Sequence, residues 1–445
     1  MLTVPAAVQG ILDTLTARGY EAFVVGGCVR DSLLGKEPED WDVTTSALPE
    51  EIAALFSPSY RVLDTGLRHG TVTVLCEGRP VEITTYRVDG PYSDNRRPDS
   101  VRFTKSLRED LARRDFTINA LAYHPAVGLV DYFSGQADLA ARRICCVGDP
   151  DKRFEEDALR LLRALRFASV LGFSLEKMTG ESLKRHAALL QTIAAERVAA
   201  ELQKLICGQA VFPVLMEYAP VLFAVLPELA PAYQHPQYNR YHRYDIYEHT
   251  LRSVQAVPPS PVLRWAMLLH DSGKPACFTR DEDGVGHFYG HPQVSVRLAN
   301  EALHRLRLDT HTITRVTTLI TYHDERLVNQ PACLKRWLCR LGEEAFRQLL
   351  EVQRADISAQ NPDLLDRLQD IDAINASVEA ILAAGDCFCL RDLQINGHDL
   401  AALGVHPGKA MGLLLEKLLE AVIDGRCTNT RADLLRLAGE LLAGG

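Results

Sequence analysis

Residues 24–44, VVGGCVRDSLLGKEPEDWDVT, are the stretch that most restricts what this chain can fold into. A short apolar run ends in Gly26 and Gly27, and glycines at the end of a strand let backbone amides approach phosphate oxygens closely. Asp40 and Asp42 lie two residues apart in a segment of strand-like composition, so we expect both carboxylates to face the same side of a sheet. Oxygen ligands of this kind suit Mg²⁺, which often shares its site with substrate phosphates. The stretch therefore predicts a phosphate-binding turn followed by a metal-binding carboxylate pair, an arrangement that serves nucleotidyl transfer.

The composition sets broad limits on the fold and the compartment. With 445 residues, 47% hydrophobic and 24% charged, the chain is long enough for two or more globular domains. A net charge of −9 excludes a globally basic surface, although a local basic groove is compatible with it. We see no signal peptide and no run of about 18 apolar residues, so we expect a cytoplasmic protein that does not span a membrane. The 11 scattered cysteines have the pattern of reduced thiols.

Hydrophobic periodicity changes along the chain and predicts an α+β fold. Residues 2–19 have the pattern of an amphipathic helix, and Ser46 or Thr45 is a candidate N-cap for a later one. Alternating segments predict strands, whereas from residue 150 onward the pattern is helical. The predicted strands are 59–64, 69–76 and 80–86. We divide the chain into a sheet-and-helix head (1–148), a helical neck (149–206), a helical domain (207–356) and a helical body and tail (357–445).

Two arginine-containing segments follow the predicted strands. Residues 87–105 contain four arginines in a stretch rich in Gly, Pro, Asn and Asp, which predicts a long loop. A solvated insertion explains this composition slightly better than a functional loop. In the segment LARRDFTINAL, Arg114 has the donor geometry to bind a triphosphate, and Asp115 can accept from a ribose hydroxyl. Glu82, on the last predicted strand, is either a third acidic group near the metal or a surface residue.

The segment that starts at residue 150 is predicted to be one strong helix. On it, Asp157, Arg160 and Arg163 are three residues apart and share a stripe. A ladder of salt bridges on an exposed face is the ordinary interpretation. The sharper hypothesis is recognition of a base by protein, because a carboxylate accepts from an exocyclic amine while a guanidinium donates to a ring nitrogen or carbonyl. Such a pair can accept C and A and reject G and U.

Five segments together resemble the successive motifs of class II, bacterial-type CCA-adding enzymes, within the tRNA nucleotidyltransferase/poly(A) polymerase family. They are GGCVRDSLLG, DWDVTTSALPE, RRDFTINALAY, RFEEDALRLLRALRFA and ERVAAELQKLI. The resemblance implies a head of the polymerase β superfamily, then an all-helical neck, body and tail. It implies CTP and ATP as substrates, the 3′ end of tRNA as acceptor and Mg²⁺ as cofactor. It also implies that residues 87–105 are the family's flexible loop, which switches the enzyme from C to A addition.

The same resemblance implies roles for individual residues. Asp40 and Asp42 hold the metal and are catalytic. The residues implied to contact or select the nucleotide are Gly27, Arg30, Arg114, Asp157, Arg160, Arg163 and Arg166.

A second constellation lies in residues 236–356. His249, the adjacent His270 and Asp271, and Asp356 occur in an order that resembles the HD superfamily of metal-dependent phosphohydrolases. Imidazole and carboxylate ligands together suit Mn, Fe, Ni, Co or Zn better than Mg. Isolated histidines on helices are more often ordinary core or surface groups, but the ordered set favours a metal site, which His291 and His323 would extend to a second ion.

Two alternatives to full CCA addition stay open at the level of sequence. The first is a polymerase of the same family with a narrower product, either an A-adding enzyme or a poly(A) polymerase. The second is an inactive RNA-binding head attached to an HD phosphohydrolase, which the complete carboxylate pair disfavours.

Overall fold

The computed structural model describes residues 2–66, 70–76, 78–90 and 100–443. Contacts divide the chain into two compact units, Met1–Ala230 and Pro231–Gly445. The predicted head and neck thus belong to the same unit, and the finer division into four domains stays a prediction. The α+β class is confirmed, with a mixed sheet in the first unit and a largely helical second unit.

Thirteen strands are present in the described part of the chain, and seven of them form one sheet. The strands are β1 (Ala22–Val25), β2 (Asp42–Thr45), β3 (Arg61–Gly66), β4 (Thr71–Cys76), β5 (Arg79–Thr85), β6 (Arg87–Asp89), β7 (Val101–Phe103), β8 (Leu121–His124), β9 (Gly128–Asp131), β10 (Arg143–Ile144), β11 (Ser174–Leu175), β12 (Thr279–Arg280) and β13 (Gly286–His287). The main sheet has the order β3-β4-β5-β2-β1-β8-β9. Only the β2–β5 pair in it is parallel.

The helices of the first unit cover the sheet and continue into the neck. They are α1 (Ala6–Ala17), α2 (Gly27–Leu33), α3 (Pro49–Phe56), α4 (Leu107–Ala112), α5 (Gly135–Ala140), α6 (Pro150–Glu156), α7 (Leu159–Leu171), α8 (Lys177–Arg185), α9 (Ala195–Ile206), α10 (Val211–Glu217) and α11 (Ala219–Val225). The amphipathic helix predicted over 2–19 is confirmed as α1. The predicted N-cap of α3 is wrong, because Leu48 occupies that position and Pro49 begins the helix.

Both faces of the sheet are buried at its centre. Val24 and Val43 pack with α1 and α3 in one core cluster, whereas Phe23 and Val25 pack with α4 in another. Because side chains alternate along a strand, Asp42 points to the face opposite Val43, which is the α4 side of the sheet. The fold thereby places the acidic end of β2 beside the residues that follow α4.

Two local predictions are wrong. Residues 87–105 are not a structureless loop throughout, since β6 and β7 pair as an antiparallel ladder from Arg87↔Phe103 to Asp89↔Val101. Apolar Val88, Val101 and Phe103 give these flanks enough strand character to pair. The segment 91–99 between them, with Arg96 and Arg97, lies outside the described residues.

The single helix expected from residue 150 is interrupted between α6 and α7, where Asp157 has an extended backbone (φ −137°, ψ 101°).

The second unit consists of helices and one short hairpin, β12–β13. Its helices are α12 (Ile246–Ala256), α13 (Pro261–Leu269), α14 (Lys274–Cys277), α15 (His291–Arg305), α16 (Thr310–Tyr322), α17 (Pro331–Leu341), α18 (Glu343–Ser358), α19 (Arg367–Ala383), α20 (Gly397–Ala402), α21 (Lys409–Ile423) and α22 (Arg431–Ala443). The residues of the predicted His/Asp set lie within or directly after five of these helices, namely α12, α13, α15, α16 and α18. The last helices, α20 to α22, enclose a smaller core of their own.

Two expectations concerned the chain as a whole, namely that it does not span a membrane and that its cysteines are reduced. None of the described helices is both long enough and apolar enough to cross a bilayer. All 11 cysteines carry free thiols, as their scattered pattern predicted.

Two glycines of the first unit make a matched test of its packing. Gly10 lies inside α1, and a methyl group added there would meet no neighbouring atom within 4 Å, so Gly10→Ala should stabilise the fold by about 0.5–1 kcal/mol through helix propensity. A Cβ on Gly135 would lie 2.3 Å from the Thr117 carbonyl oxygen, so Gly135→Ala should destabilise the fold by more than about 1 kcal/mol, the cost of overpacking. Urea titrations followed by circular dichroism measure both changes. Equal midpoints for the two variants would contradict this description of the packing.

Candidate active site

Two acidic residues, Asp40 and Asp42, lie at the start of β2, and Glu82 lies beside Asp42 on the neighbouring strand. Asp42 is the first residue of β2 and pairs in parallel register with Glu82 on β5, so the two side chains lie side by side on the same face. Asp40 precedes the strand instead of lying on it, which differs from the expectation of one continuous strand. Repulsion from Asp40 nevertheless contributes to the raised pKa of Asp42.

The electrostatics of Asp42 show that this cluster is short of positive charge. Desolvation by the surrounding protein raises the pKa of Asp42 to about 6, and repulsion from Glu82 and Asp40 contributes in the same direction. Arg114 opposes the shift. A carboxylate cluster with a raised pKa binds a proton when no cation is near, so its donor set fits a divalent cation with oxygen ligands.

Arg114 lies between this cluster and the glycine turn. Its Nη1 is 3.0 Å from the point where a Cβ on Gly26 would lie, and Gly26 has φ +84°. A side chain at Gly26 would therefore be strained and would displace the guanidinium. Arg114 Nη2 lies 3.7 Å from the buried Asp110, whereas Nε is buried without a hydrogen-bond partner among the described residues. The unpaired donor, next to a turn that admits close approach, suits an anionic oxygen.

A hydrogen-bonded network joins the predicted nucleotide-binding residues of the head to the neck. Arg30 Nη1 donates to Asn119 Oδ1 at 2.7 Å, and Asn119 Nδ2 donates to Asp115 Oδ1 at 3.1 Å. Asp115 Oδ2 accepts two hydrogen bonds from Arg163 of α7, at 2.8 and 2.6 Å. Burial opposes the charge of Asp115, but Arg163 and Asn119 prevail and lower its pKa to about 2. Asp115 is thus ionised at neutral pH and holds Arg163 in place. Gly27, which begins α2, lies close to Arg30 in the same network.

Phe167, near the end of α7, is surrounded by guanidinium groups. Arg166, Arg30 and Arg163 have their central carbons 4.2, 4.9 and 5.5 Å from the centre of its ring. Arg166 is also held by Glu201 at 3.1 Å. An aromatic face attracts cations, so one buried ring keeps three positive charges together that would otherwise repel one another.

The remaining predicted pair, Asp157 and Arg160, is not joined side chain to side chain. Asp157 Oδ1 accepts from the Leu159 N–H at 3.1 Å, in the break before α7. Arg160 donates instead to Glu156 at 2.7 Å and to the Arg113 carbonyl oxygen at 3.1 Å. The second of these bonds places Arg160 beside the residue that precedes Arg114, so the neck does reach the head at this point.

A second centre is formed by the predicted His/Asp set. Asp271 lies between two groups of ligands, one made with His249 and His270 and the other with His291 and His323. In each group the potential ligand atoms lie within 4.8 Å of one another, and all five residues are buried. Asp356 of α18 completes the first group, since its Oδ1 is 3.0 Å from His249 Nε2 and 3.5 Å from His270 Nε2.

The histidine rings of this centre are oriented by backbone carbonyl groups. Nδ1 of each ring lies 2.7–3.1 Å from a carbonyl oxygen, which requires a proton on that nitrogen. The four are His249 with Ala359, His270 with Met267, His291 with Phe288 and His323 with Ile320. Every Nε2 is consequently directed at the carboxylates or at another ring, and His291 Nε2 lies 3.2 Å from His323 Nε2.

Facing lone pairs of this kind repel one another unless a proton or a metal cation lies between them. Both oxygens of Asp271 and Nε2 of His270 are buried without a hydrogen bond of good geometry among the described residues. Burial and repulsion from His270 lower the pKa of His323 to about 3, so that imidazole is neutral. Asp271 and Asp356 outweigh burial at His270 and raise its pKa to about 10, so without a metal His270 carries a proton. Two ligand groups that share one carboxylate fit a pair of transition-metal ions.

Three residues that contribute to the two centres were not assigned by the sequence. Asn119 and Phe167 gave no signal of their own, although both occur in motifs that were noted. Lys274 follows the His270–Asp271 pair by three residues, and its Nζ lies 2.7 Å from Asp271 Oδ2. A lysine one helical turn after a metal-binding aspartate was a signal that could have been used.

Family models match most of the chain. The model described as "Poly A polymerase head domain" covers residues 22–145. The one described as "Probable RNA and SrmB- binding site of polymerase A" covers residues 172–233, and a model of tRNA nucleotidyltransferase domain 2 covers residues 291–438. These matches span the sheet, the part of the neck from residue 172 onward and most of the second unit.

Relatives of full length agree with the family models. The chain is 36% identical over 446 residues to the CCA-adding enzyme of Limosilactobacillus fermentum, covering 99% of this chain and 98% of the relative. It is 35% identical over 429 residues to the CCA-adding enzyme of Levilactobacillus brevis, covering 96% and 95%. Among solved structures, that of the Bacillus stearothermophilus CCA-adding enzyme in complex with CTP matches with a TM-score of 0.72 at 28% identity, covering 98% of this chain and 97% of the other. The chain therefore belongs to the CCA-adding enzyme family, whose members are nucleotidyltransferases.

Proposed function

We propose that this protein adds C, C and A to the 3′ end of tRNA, with CTP and ATP as substrates and pyrophosphate as the product. The observation that carries the proposal is the cluster of Asp42, Glu82 and Asp40 opposite Arg114, in a chain that is homologous over its whole length to CCA-adding enzymes. With tRNA as the acceptor, the reaction belongs in the cytoplasm.

The residues of the site divide the reaction between them. Asp40 and Asp42 would hold Mg²⁺, and Glu82 extends this donor set from the neighbouring strand. When bound, the cation activates the attacking 3′-hydroxyl and neutralises charge on the leaving pyrophosphate. Arg114 offers its unpaired Nε to the triphosphate, and Gly27 lets the phosphates approach the backbone closely.

We assign nucleotide selection to the neck residues Asp157, Arg160, Arg163 and Arg166. Arg163 is fixed by two bonds to Asp115, and Arg166 is fixed by Glu201, so both are prearranged beside the head. Asp157 Oδ2 lies 3.6 Å from Arg197, a loose contact, so Asp157 is the member of the set best able to accept from the exocyclic amine of C or A. Arg160 would turn from Glu156 to the base when the nucleotide binds.

A second function is favoured by the geometry of the His/Asp centre. We propose that His249, His270, Asp271 and Asp356 bind a transition metal (Mn, Fe, Ni, Co or Zn), that His291 and His323 bind another, and that the centre hydrolyses phosphoesters. The buried Asp271 oxygens without good hydrogen bonds and the four inward-facing Nε2 atoms support this proposal. Lys274, 2.7 Å from Asp271, would balance charge on a bound phosphate.

The product formed from tRNA that lacks its last three nucleotides tests the main proposal. We expect two nucleotides to be added with CTP alone, three with CTP and ATP together, and none with ATP alone. An A-adding enzyme would use ATP only after the two Cs are supplied in the acceptor, and a poly(A) polymerase would add a run of A. High-resolution gel electrophoresis of the labelled tRNA distinguishes these products.

The same assay tests the metal-binding carboxylates. Asp42→Asn or Asp40→Ala should reduce incorporation by a factor of roughly 10² or more, because the charge that positions the cation is lost, while tRNA affinity stays near that of the wild type. Glu39→Gln is the matched control, since Glu39 is an exposed acid beside Asp40. Incorporation by Asp42→Asn at the wild-type rate would contradict the assignment.

Phe167→Leu tests whether the ring organises the arginines. Loss of the cation–π contacts, about 0.5–1 kcal/mol each at partly exposed sites, should raise KM for CTP roughly 3- to 10-fold and change kcat less. Phe167→Tyr keeps the ring and should keep KM, and Val170→Ala is a control at an exposed position of α7. Steady-state kinetics with saturating tRNA measure these values, and a wild-type KM for Phe167→Leu would show that the ring is only a packing residue.

Asp271→Asn tests the His/Asp centre. The wild type should bind Mn²⁺ or Ni²⁺ and hydrolyse bis(p-nitrophenyl) phosphate, whereas Asp271→Asn should lose both properties and still add CCA. His291→Ala should remove only part of the bound metal, because His291 belongs to the second ligand group. The control is Asp281→Asn, an exposed acid of the same unit. Elemental analysis of the dialysed protein measures the metal content, and equal metal content in Asp271→Asn and wild type would refute the site.

A further inference from the structure

We propose that Arg197, at the start of α9, is a further specificity-determining residue of the neck. It donates a hydrogen bond to N7 of adenine and thereby helps the site to distinguish ATP from CTP in the last addition. The inference rests on the CCA addition proposed above, and it adds a contact that only one of the two bases can make. The carboxylate–guanidinium pair described above accepts both C and A, so it does not by itself tell them apart.

The two bases differ on one side of the amine that Asp157 would bind. Cytosine and adenine each carry an exocyclic amine with a ring-nitrogen acceptor beside it, which is N3 in cytosine and N1 in adenine. On the other side of the amine, adenine has a second acceptor, N7, whereas cytosine has a C–H group. A hydrogen-bond donor on that side of the carboxylate therefore binds adenine and gains nothing from cytosine.

Arg197 lies beside the free oxygen of Asp157. Oδ1 of Asp157 accepts from the Leu159 N–H at 3.1 Å, which leaves Oδ2 for another donor. Arg197 Nη2 is 3.6 Å from Oδ2, which is too long for a good hydrogen bond between the two side chains. A carboxylate oxygen and a guanidinium at this separation can bind two neighbouring groups of one ligand, the oxygen accepting from N6 of adenine and the guanidinium donating to N7.

The second terminal nitrogen of Arg197 has no acceptor in the protein. Nη1 is buried and makes no hydrogen bond among the described residues. In contrast, Arg160, Arg163 and Arg166 each donate to a carboxylate of the protein. Because a buried donor without a partner costs free energy, the guanidinium of Arg197 is suited to an acceptor that the ligand brings.

The place of Arg197 in its helix argues against a purely structural role. The residue is in the first turn of α9, where the positive end of the helix dipole disfavours a cation. The side chains of Arg197 and Asp157 are 30% and 19% exposed, and partly exposed ion pairs with loose geometry stabilise a fold very little. Neither the helix nor the ion pair explains a cation at this position, whereas an acceptor on a bound base does.

Packing of α9 against α7 fixes the position of Arg197. One helical turn after Arg197, Glu201 holds Arg166 of α7 at 3.1 Å. A further turn along, the Leu205 carbonyl oxygen accepts from the Ser169 hydroxyl at 2.7 Å. Two contacts on one stripe of α9 thus hold it against α7, so the backbone of Arg197 is placed relative to the residues that precede α7.

An analogue of ATP that lacks N7 tests this contact directly. 7-Deaza-ATP keeps N1 and the exocyclic amine of adenine but has a C–H group in place of N7. We compare the addition of ATP and 7-deaza-ATP to tRNA that ends in CC, and the addition of CTP to tRNA that ends in a single C, using the full-length protein. The wild type should have a KM for 7-deaza-ATP about 10-fold above that for ATP, the effect of losing one hydrogen bond to a charged donor.

Two variants remove the guanidinium. Arg197→Met keeps the length of the aliphatic stem, and Arg197→Ala has the highest helix propensity. Each should raise KM for ATP about 10-fold and leave KM for 7-deaza-ATP unchanged, so that the two values become equal, while KM for CTP stays within about 2-fold. Lys204→Met, which removes an exposed cation of the same helix, is the matched control.

The ratio of the two KM values separates recognition of N7 from a structural role. A residue that only supports the fold or orients Asp157 would change KM for CTP, ATP and 7-deaza-ATP alike, and that result in the Arg197 variants would overturn the inference. Equal KM values for ATP and 7-deaza-ATP in the wild type would also overturn it, while leaving CCA addition intact.

Nucleotide binding gives a readout that does not depend on activity. If the wild type adds neither CTP nor ATP, the proposed function fails, and isothermal titration calorimetry with the full-length protein decides the inference instead. The wild type should bind ATP about 10-fold more tightly than 7-deaza-ATP, and Arg197→Met should bind the two equally. Equal affinities in the wild type would overturn the contact with N7.

Discussion

The nucleotidyltransferase site depends on one buried carboxylate, that of Asp115. Its Oδ1 accepts from the Phe116 N–H and from Asn119, and its Oδ2 accepts twice from Arg163 of the neck. Four donors overcome the cost of burying the charge, so the group is ionised at neutral pH and fixes the positions of its partners. Because Asn119 in turn accepts from Arg30, the orientation of residues on three separate segments follows from this one group. Removing it would leave Arg163 with an unpaired charge at the junction of sheet and neck.

The second constraint is the register of the only parallel strand pair in the main sheet. Pairing Asp42 with Glu82 brings two like charges side by side, which costs energy unless a cation is bound between acids of this kind. A shift of one residue would put Val81 or Ile83 beside Asp42 and turn Glu82 toward the opposite core. The apolar residues that alternate with the acids on β2 and β5 therefore also preserve the alignment of Asp42 and Glu82, because the register that buries them is the one that pairs the two carboxylates.

Much of this arrangement could be predicted from local patterns. Alternation of apolar residues predicted the strands from β3 to β5. The positions of Gly26, Gly27, Asp40 and Asp42 predicted a turn and acidic residues near β2, and their binding of phosphate and metal stays a prediction. What escaped prediction depends on contacts between distant segments. Whether Glu82 lies beside Asp42 was undecided until its register with β2 was known. The break at Asp157 was missed because charged and apolar residues continue with helical spacing through it, and only the bond from the Leu159 N–H to the Asp157 carboxylate marks it.

Burial disfavours the charged form of a side chain in both acidic centres, raising the pKa of an aspartate in one and lowering that of a histidine in the other. In the first, desolvation raises the pKa of Asp42 to about 6, and carboxylate oxygens are ligands that suit a hard cation such as Mg²⁺. In the second, burial lowers the pKa of His323 to about 3, which preserves the imidazole lone pair that transition metals prefer. The carbonyl groups that hold each Nδ1 proton add to this selection, because they prevent the rings from turning their N–H groups inward. The two donor sets that we propose for metals therefore differ in ligand chemistry, with oxygen alone in one and nitrogen with oxygen in the other.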